Sequence, residues 1–172
     1  MARHLYHCPL RWSDMDAFGH VNNAVYFRYL EEARIDLTFR LGPEGEGGAS
    51  FAGGSVVARH EIDYLRPLVH RYQPVIVETW VKRLGAASVT YAYEIRDQPD
   101  GEYADGTQTA EDGAGAVGGE SGAGRLYARA TTVVVPYDLA AGRPRRLTSA
   151  ERELLSAYLE GDAAGEQEAV AA

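Results

Sequence analysis

The stretch Arg11-Trp12-Ser13-Asp14-Met15-Asp16-Ala17-Phe18-Gly19-His20-Val21-Asn22-Asn23-Ala24-Val25-Tyr26 decides the fold. It is a polar turn running into the start of a helix. Two carboxylates, one histidine and two amides fall within the ten residues Asp14 to Asn23. A helix N-terminus offers free backbone N–H groups and the positive end of the helix dipole, a ready site for an oxyanion. A carboxylate held beside it can act as a base or a nucleophile. The plainer reading is that Asp14 and Asp16 shape a turn, His20 is a polar loop residue, and Asn22 and Asn23 cap a helix. Spacing alone favours that plainer reading. Asp14, Asp16 and His20 are too few for a metal site and show no metal-site spacing, so no metal is expected.

Downstream, Asn23–Leu41 steps its apolar residues by four along one face, at Val25, Tyr29 with Leu30, Ala33, Leu37 and Leu41. Asn22 or Asn23 starts this helix and Gly42-Pro43 ends it. Ser55–Arg66 alternates as a strand, with Val56, Ala58, His60, Ile62 and Tyr64 on one face. Pro74–Arg83 and Ser88–Arg96 read as a hairpin turning at Leu84-Gly85-Ala86-Ala87, and Arg125–Tyr137 as the last long strand. Ala2–Trp12 supplies a first strand. Thr148-Ser149-Ala150-Glu151 has the form of a capping box on a short helix reaching about Leu159. One long helix against an antiparallel sheet is an α+β layer.

The 172 residues carry a net charge of −8, which taken whole argues against anionic partners. The charge is segmental, however. Asp97–Gly124 holds seven acidic residues, eight glycines and no Lys or Arg, and Glu151–Ala172 adds six acidic residues against Arg152 alone. The rest of the chain therefore sums to +4. Residues 97–124 are expected to be a disordered acidic loop, and 161–172 a flexible tail. The loop should project away from any site for an anionic ligand. Nucleic acid is not an expected partner. No apolar run is long enough to cross a membrane. Met1–His7 lacks the apolar core of a signal peptide, and the single cysteine, Cys8, fits a reducing compartment, so a cytoplasmic location is expected. Ser13 lacks a GxSxG context, and the chain has no P-loop or dinucleotide fingerprint.

Three patches carry a family resemblance. Asp16-x-x-Gly19-His20-Val21-Asn22-Asn23-Ala24-x-Tyr26-Phe27, followed by Glu31-Glu32-x-Arg34, is similar to the signature of hotdog-fold thioesterases, in the branch like the 4-hydroxybenzoyl-CoA thioesterases. The His-Val-Asn-Asn string also resembles plant-type acyl-ACP thioesterases. Glu61-Ile62-Asp63-Tyr64-Leu65-Arg66-Pro67-Leu68 resembles the family's strand ending in Tyr-x-x-Pro, and Arg83–Ser88 its Gly-x-x-Ser turn. The resemblance covers roughly residues 3–137.

It implies a hotdog fold, an antiparallel five- to six-stranded sheet wrapped around one long central helix, as a single domain over 1–160. It implies a metal-free acyl-CoA thioesterase that releases CoA and a carboxylic acid without a cofactor. Asp16 would attack the thioester or activate water, and the Asn23 backbone N–H would polarise the carbonyl. The Asn23 side chain would orient acyl group or water, with His20 close behind. Gly19, Val21, Asn22 and Tyr26 would border the substrate. Tyr26, Phe27 and Tyr29 would line an acyl pocket, although such aromatics are more often helix core. Tyr64, Pro67, Gly85 and Ser88 would line the pantetheine tunnel from the other subunit of a homodimer or homotetramer. Lys82 and Arg83 lead the cations offered to the CoA phosphates, ahead of Arg59, Arg66, Arg145 and Arg146. An acyl carrier protein substrate and a non-catalytic acyl-thioester-binding protein are the alternatives.

Overall fold

The structure, a computed structural model, describes residues 2–41, 54–98 and 124–161. The loop and tail read from the sequence lie outside the described residues, apart from Asp97, Gln98, Gly124 and Gly161. So does the Gly-rich link after Leu41, apart from Gly54.

The elements are β1 (His4–Cys8), a 3-10 turn (Trp12–Asp14), α1 (Asn23–Leu41), β2 (Ser55–Tyr64), β3 (Val75–Leu84), β4 (Val89–Arg96), β5 (Leu126–Asp138), β6 (Arg143–Pro144) and α2 (Ser149–Ser156). The strands form one antiparallel sheet in the order β1-β3-β4-β5-β2, with β6 paired to β5. This α+β arrangement, a six-stranded antiparallel sheet around one long helix, is the hotdog fold.

Asn22 caps α1. Its Oδ1 accepts the Ala24 N–H at 2.9 Å and its carbonyl accepts the Val25 N–H. The buried face of α1 is Tyr26, Tyr29, Leu30, Ala33 and Leu37, while Val25 and Leu41 are only partly covered. The expected stripe is thus shifted by one residue at its start. Against it pack the inward residues Val75, Val77 and Val81 of β3 and Val89, Tyr91, Tyr93 and Ile95 of β4. Thr148 forms the expected capping box with Glu151. Glu151 is buried and held by two bonds from Arg145, at 2.6 and 2.8 Å. Arg145 is thereby committed to α2 and is not a free cation for a ligand.

β2 departs from the simple alternation. Its pairing with β5 shifts between Val57 and Arg59, a bulge that leaves Ala58 without a partner. Val57 opposite Val134 and His60 opposite Thr132 therefore share the inward face, and Val56 and Ala58 do not share it with His60. As the edge strand, β2 is exposed over most of its length.

Candidate active site

The polar turn is a small hairpin. Met15 and Val21 form an antiparallel bridge, the Asp16 N–H donates to the His20 carbonyl at 2.8 Å, and the Asn22 N–H donates to the Asp14 carbonyl at 2.9 Å. Gly19 sits near the apex at φ +78°, a conformation that costs a side-chain-bearing residue and not glycine. Asp16 Oδ1 accepts the Phe18 N–H at 2.8 Å and the His20 N–H at 3.4 Å. Both readings of Asp16 meet here. One oxygen shapes the turn, and Oδ2 has no hydrogen-bond partner among the described residues.

Asp14 behaves differently. It is buried, and its Oδ2 accepts the Arg11 N–H at 3.0 Å and the Tyr29 hydroxyl at 2.7 Å. Cys8 is also buried. Burial, then the neighbouring Asp14, pushes its thiol up to about 12, which removes it as a nucleophile.

Beside the hairpin lies a cleft of about 240 Å³ lined by His20, Val21, Asn23, Tyr26, Tyr64, Leu65, Arg66 and Pro67. Asn23 is the first residue of α1, where N–H groups have no intrahelical acceptor. Tyr26 is buried and meets Tyr64 edge to face, with ring centroids 5.1 Å apart. Burial, then the Tyr64 neighbour, pushes Tyr26 up to about 12, against a backbone hydrogen bond from Leu68. Burial also raises Tyr64, so both hydroxyls keep their protons at neutral pH. Arg66 lies on the rim with one guanidinium nitrogen 2.8 Å from the Leu126 carbonyl.

The fold thus brings His20, Val21, Asn23, Tyr26, Tyr64 and Pro67 to one cleft, with Gly19, Asn22 and Asp16 in the adjoining hairpin. Tyr29 and Phe27 take the core reading. Tyr29 is buried under the hairpin, and Phe27 packs on the His60 ring at 5.0 Å. Lys82, Arg83, Gly85 and Ser88 are not brought to this cleft within one chain. Tyr64 stands opposite Ala128, and Val89, next to Ser88, stands opposite Val134. Six residues along β5 separate those levels, about 20 Å. Lys82 instead borders a groove of about 700 Å³ on the outer face of the sheet, beside Trp80, Glu94 and Arg129. Nothing local in the sequence marks Leu65 for the cleft, and Asp14 reads there as a turn residue.

Among the described residues no three His, Cys, Asp or Glu side chains are grouped to hold a metal ion. No helix among them is long and apolar enough to cross a membrane.

The family model of the thioesterase-like superfamily matches residues 10–157, and the chain belongs to this family. A thioesterase from Thermus thermophilus, solved in complex with coenzyme A and zinc, is 29% identical with a TM-score of 0.63, over 90% of this chain and 92% of that one. A Xanthomonas campestris protein, XC229, named provisionally as an acyl-CoA thioesterase, is 37% identical with a TM-score of 0.56, over 80% of this chain and 93% of that one. The uncharacterized protein YsmA of Bacillus subtilis (strain 168) is 33% identical over 84 residues, 49% of this chain. The chain spans about half the length of that curated relative, 54%. The family and these neighbours support thioester hydrolysis as the general activity.

Proposed function

We propose that the protein is an acyl-CoA thioesterase, releasing CoA and a carboxylic acid. One observation carries this reading: a carboxylate with a free oxygen, a helix N-terminus and an aromatic-walled cleft occur together at one end of α1. Asp16 Oδ2 serves as nucleophile or as the base that takes a proton from water. New bonding at the carbonyl carbon places negative charge on the carbonyl oxygen, which the Asn23 N–H stabilises. The C–S bond then breaks and CoA leaves as its thiolate, which takes up a proton. On the base route it is the one that Asp16 took from water, with the carboxylic acid formed directly. On the nucleophile route it is one from the water that then hydrolyses the acyl-Asp16 anhydride to acid and free carboxylate. The Asn23 side chain cannot trade protons, so proton transfer falls to Asp16. His20 stands on the cleft wall beside it. Val21, Tyr26, Tyr64 and Pro67 form the wall for acyl group and pantetheine, and Arg66 supplies a positive rim.

The exposed β2 edge supports a homodimer. If two copies pair antiparallel along β2, the Tyr64 end of one meets the Ser55 end of its partner. That is the end at which Gly85 and Ser88 lie, with Lys82 and Arg83 nearby. Substrate arms from both subunits would then meet at each cleft.

The test is thiol release from a panel of acyl-CoAs, with the same acyl groups on acyl carrier protein. Turnover of acyl-CoA is expected. A twentyfold or greater preference for the carrier protein would move the assignment to that substrate class. Tight binding without hydrolysis would overturn catalysis altogether.

A further inference from the structure

We propose that Asp14 and Tyr29 are positioning residues for the hydrolytic site, holding the Asp16 hairpin against α1 through one buried hydrogen bond. The inference rests on the reading of Asp16 as the hydrolytic carboxylate.

Asp14 is 7% exposed and has no ion-pair partner among the described residues. A carboxylate buried without a cation is expensive, and it persists only when strong donors hold it. Here the Arg11 N–H and the Tyr29 hydroxyl converge on Oδ2, the latter at 2.7 Å. A hydrogen bond to a charged acceptor is roughly twice as strong as a neutral one. Tyr29 is itself 4% exposed, and burial followed by the Asp14 bond raises its phenol, so its proton remains in the bond.

The two arms of the hairpin are anchored differently. On one arm Val21 is buried and donates its N–H to the Leu68 carbonyl at 2.8 Å. The arm that carries Asp16 is tied to the helix interior by the Asp14 carboxylate. From Tyr29 the contacts run on through ring neighbours, Tyr26 at 6.2 Å and then Tyr64 at 5.1 Å. Tyr64 returns to Asn23 by a hydrogen bond, and the Asn22 N–H returns to Asp14. The circuit closes on the residues flanking the reacting position. Removing the Tyr29 hydroxyl opens it at the Asp16 arm and leaves the cleft walls standing. The loss should therefore appear in kcat and not in KM, since small displacements of a reacting group are costly to rate.

The experiment measures steady-state thiol release for wild type, Tyr29→Phe, Asp14→Asn and Asp16→Asn, and for Asp16→Asn combined with each of the first two, with thermal unfolding of each. For Tyr29→Phe we expect kcat to fall about 10-fold with KM within twofold. In the Asp16→Asn background the same change should cost less than twofold, because its effect passes through Asp16. Asp14→Asn keeps an acceptor for Tyr29 and should lose less than Tyr29→Phe. It carries the same cycle if the phenylalanine variant fails to fold. An unchanged kcat in Tyr29→Phe, or a full loss persisting in the Asp16→Asn background, overturns the positioning role alone. Wild type without turnover on any acyl thioester overturns the thioesterase reading, and this one with it.

Discussion

Tyr64 donates its hydroxyl hydrogen to the Asn23 carbonyl oxygen at 2.9 Å, joining the last residue of β2 to the first residue of α1. The edge strand and the helix start are thereby fixed to each other across the cleft. Tyr64→Phe keeps the ring against Tyr26 and loses the bond. Because the bond is partly exposed, we expect destabilisation of about 0.5–1 kcal/mol in chemical unfolding and a KM within threefold of wild type. Tyr64→Ala also removes the wall and should raise KM for acyl-CoA about tenfold with a smaller change in kcat. Equal losses in both variants would show that the bond matters and the wall does not.

Asp16→Asn separates the two uses of that residue. The amide oxygen still accepts the Phe18 and His20 N–H groups, so the turn persists, while the free oxygen loses its charge and basicity. A fall in kcat of at least ~10²-fold is expected, the scale of deleting a catalytic acid or base, with little change in unfolding midpoint. Undiminished turnover would sink the proposed mechanism.

Gly19→Ala tests the apex by torsion alone. Nothing lies within 4 Å of an added Cβ, so the cost comes from φ +78°. That cost is about 1–2 kcal/mol for an alanine, and Asn should be tolerated better. The expected order in both stability and turnover is Gly, then Asn, then Ala.

Much of this architecture is legible in the residues themselves. The four-residue step and the flanking Asn and Gly-Pro punctuation mark α1 with the bounds observed, and Thr148 to Glu151 marks the start of α2. The bulge at Ala58 is not legible, because Val56 and Val57 supply an apolar residue to either face. The cleft joins Asn23 to Tyr64 across 41 residues, a pairing that local spacing cannot show and that only the family patches pointed to. Asp14 and Asp16 are equivalent in sequence. What buries Asp14 and leaves Asp16 half-buried is the hairpin bridge and a tyrosine 15 residues on from Asp14, a tertiary contact with no local mark.

Stability should fall as the solution becomes acidic. His4 has its pKa lowered from the ordinary 6.5 by burial, against the opposing pull of Asp36. His60 is lowered by burial and then by the Arg34 charge. Between the depressed folded value and 6.5 the unfolded chain binds more protons than the folded one, so unfolding free energy rises with pH there. We expect denaturant midpoints to drop below about pH 6.5. The double variant His4→Gln, His60→Gln should flatten that slope. An equally steep slope in that window in the double variant would overturn the histidine assignment, because a carboxylate such as Glu151, lowered from 4.5 overall by the Arg145 and Thr148 bonds against its burial, loses its contribution only at lower pH.

The charge of the acidic segment, most of which lies outside the described residues, can be tested through KM for acyl-CoA. Its flanks are held at the cleft end of the sheet. The Asp97 N–H donates to the Arg125 carbonyl, Asp97 pairs with Arg71, and the Leu65 N–H on the cleft wall donates to the Tyr127 carbonyl. Asp97 is neutralised by Arg71, and the other six acidic residues lie between these flanks in sequence. A screening length of about 8 Å at physiological salt, against about 30 Å at 0.01 M, decides the outcome. With residues 99–123 replaced by a short Gly-Ser turn, KM for acyl-CoA should change less than twofold at 0.15 M salt. Near 0.01 M it should fall severalfold as the repulsion of the CoA phosphates is lifted. A large fall at 0.15 M would show instead that the segment contacts the entrance directly. No fall at 0.01 M would place its charges beyond reach of the cleft.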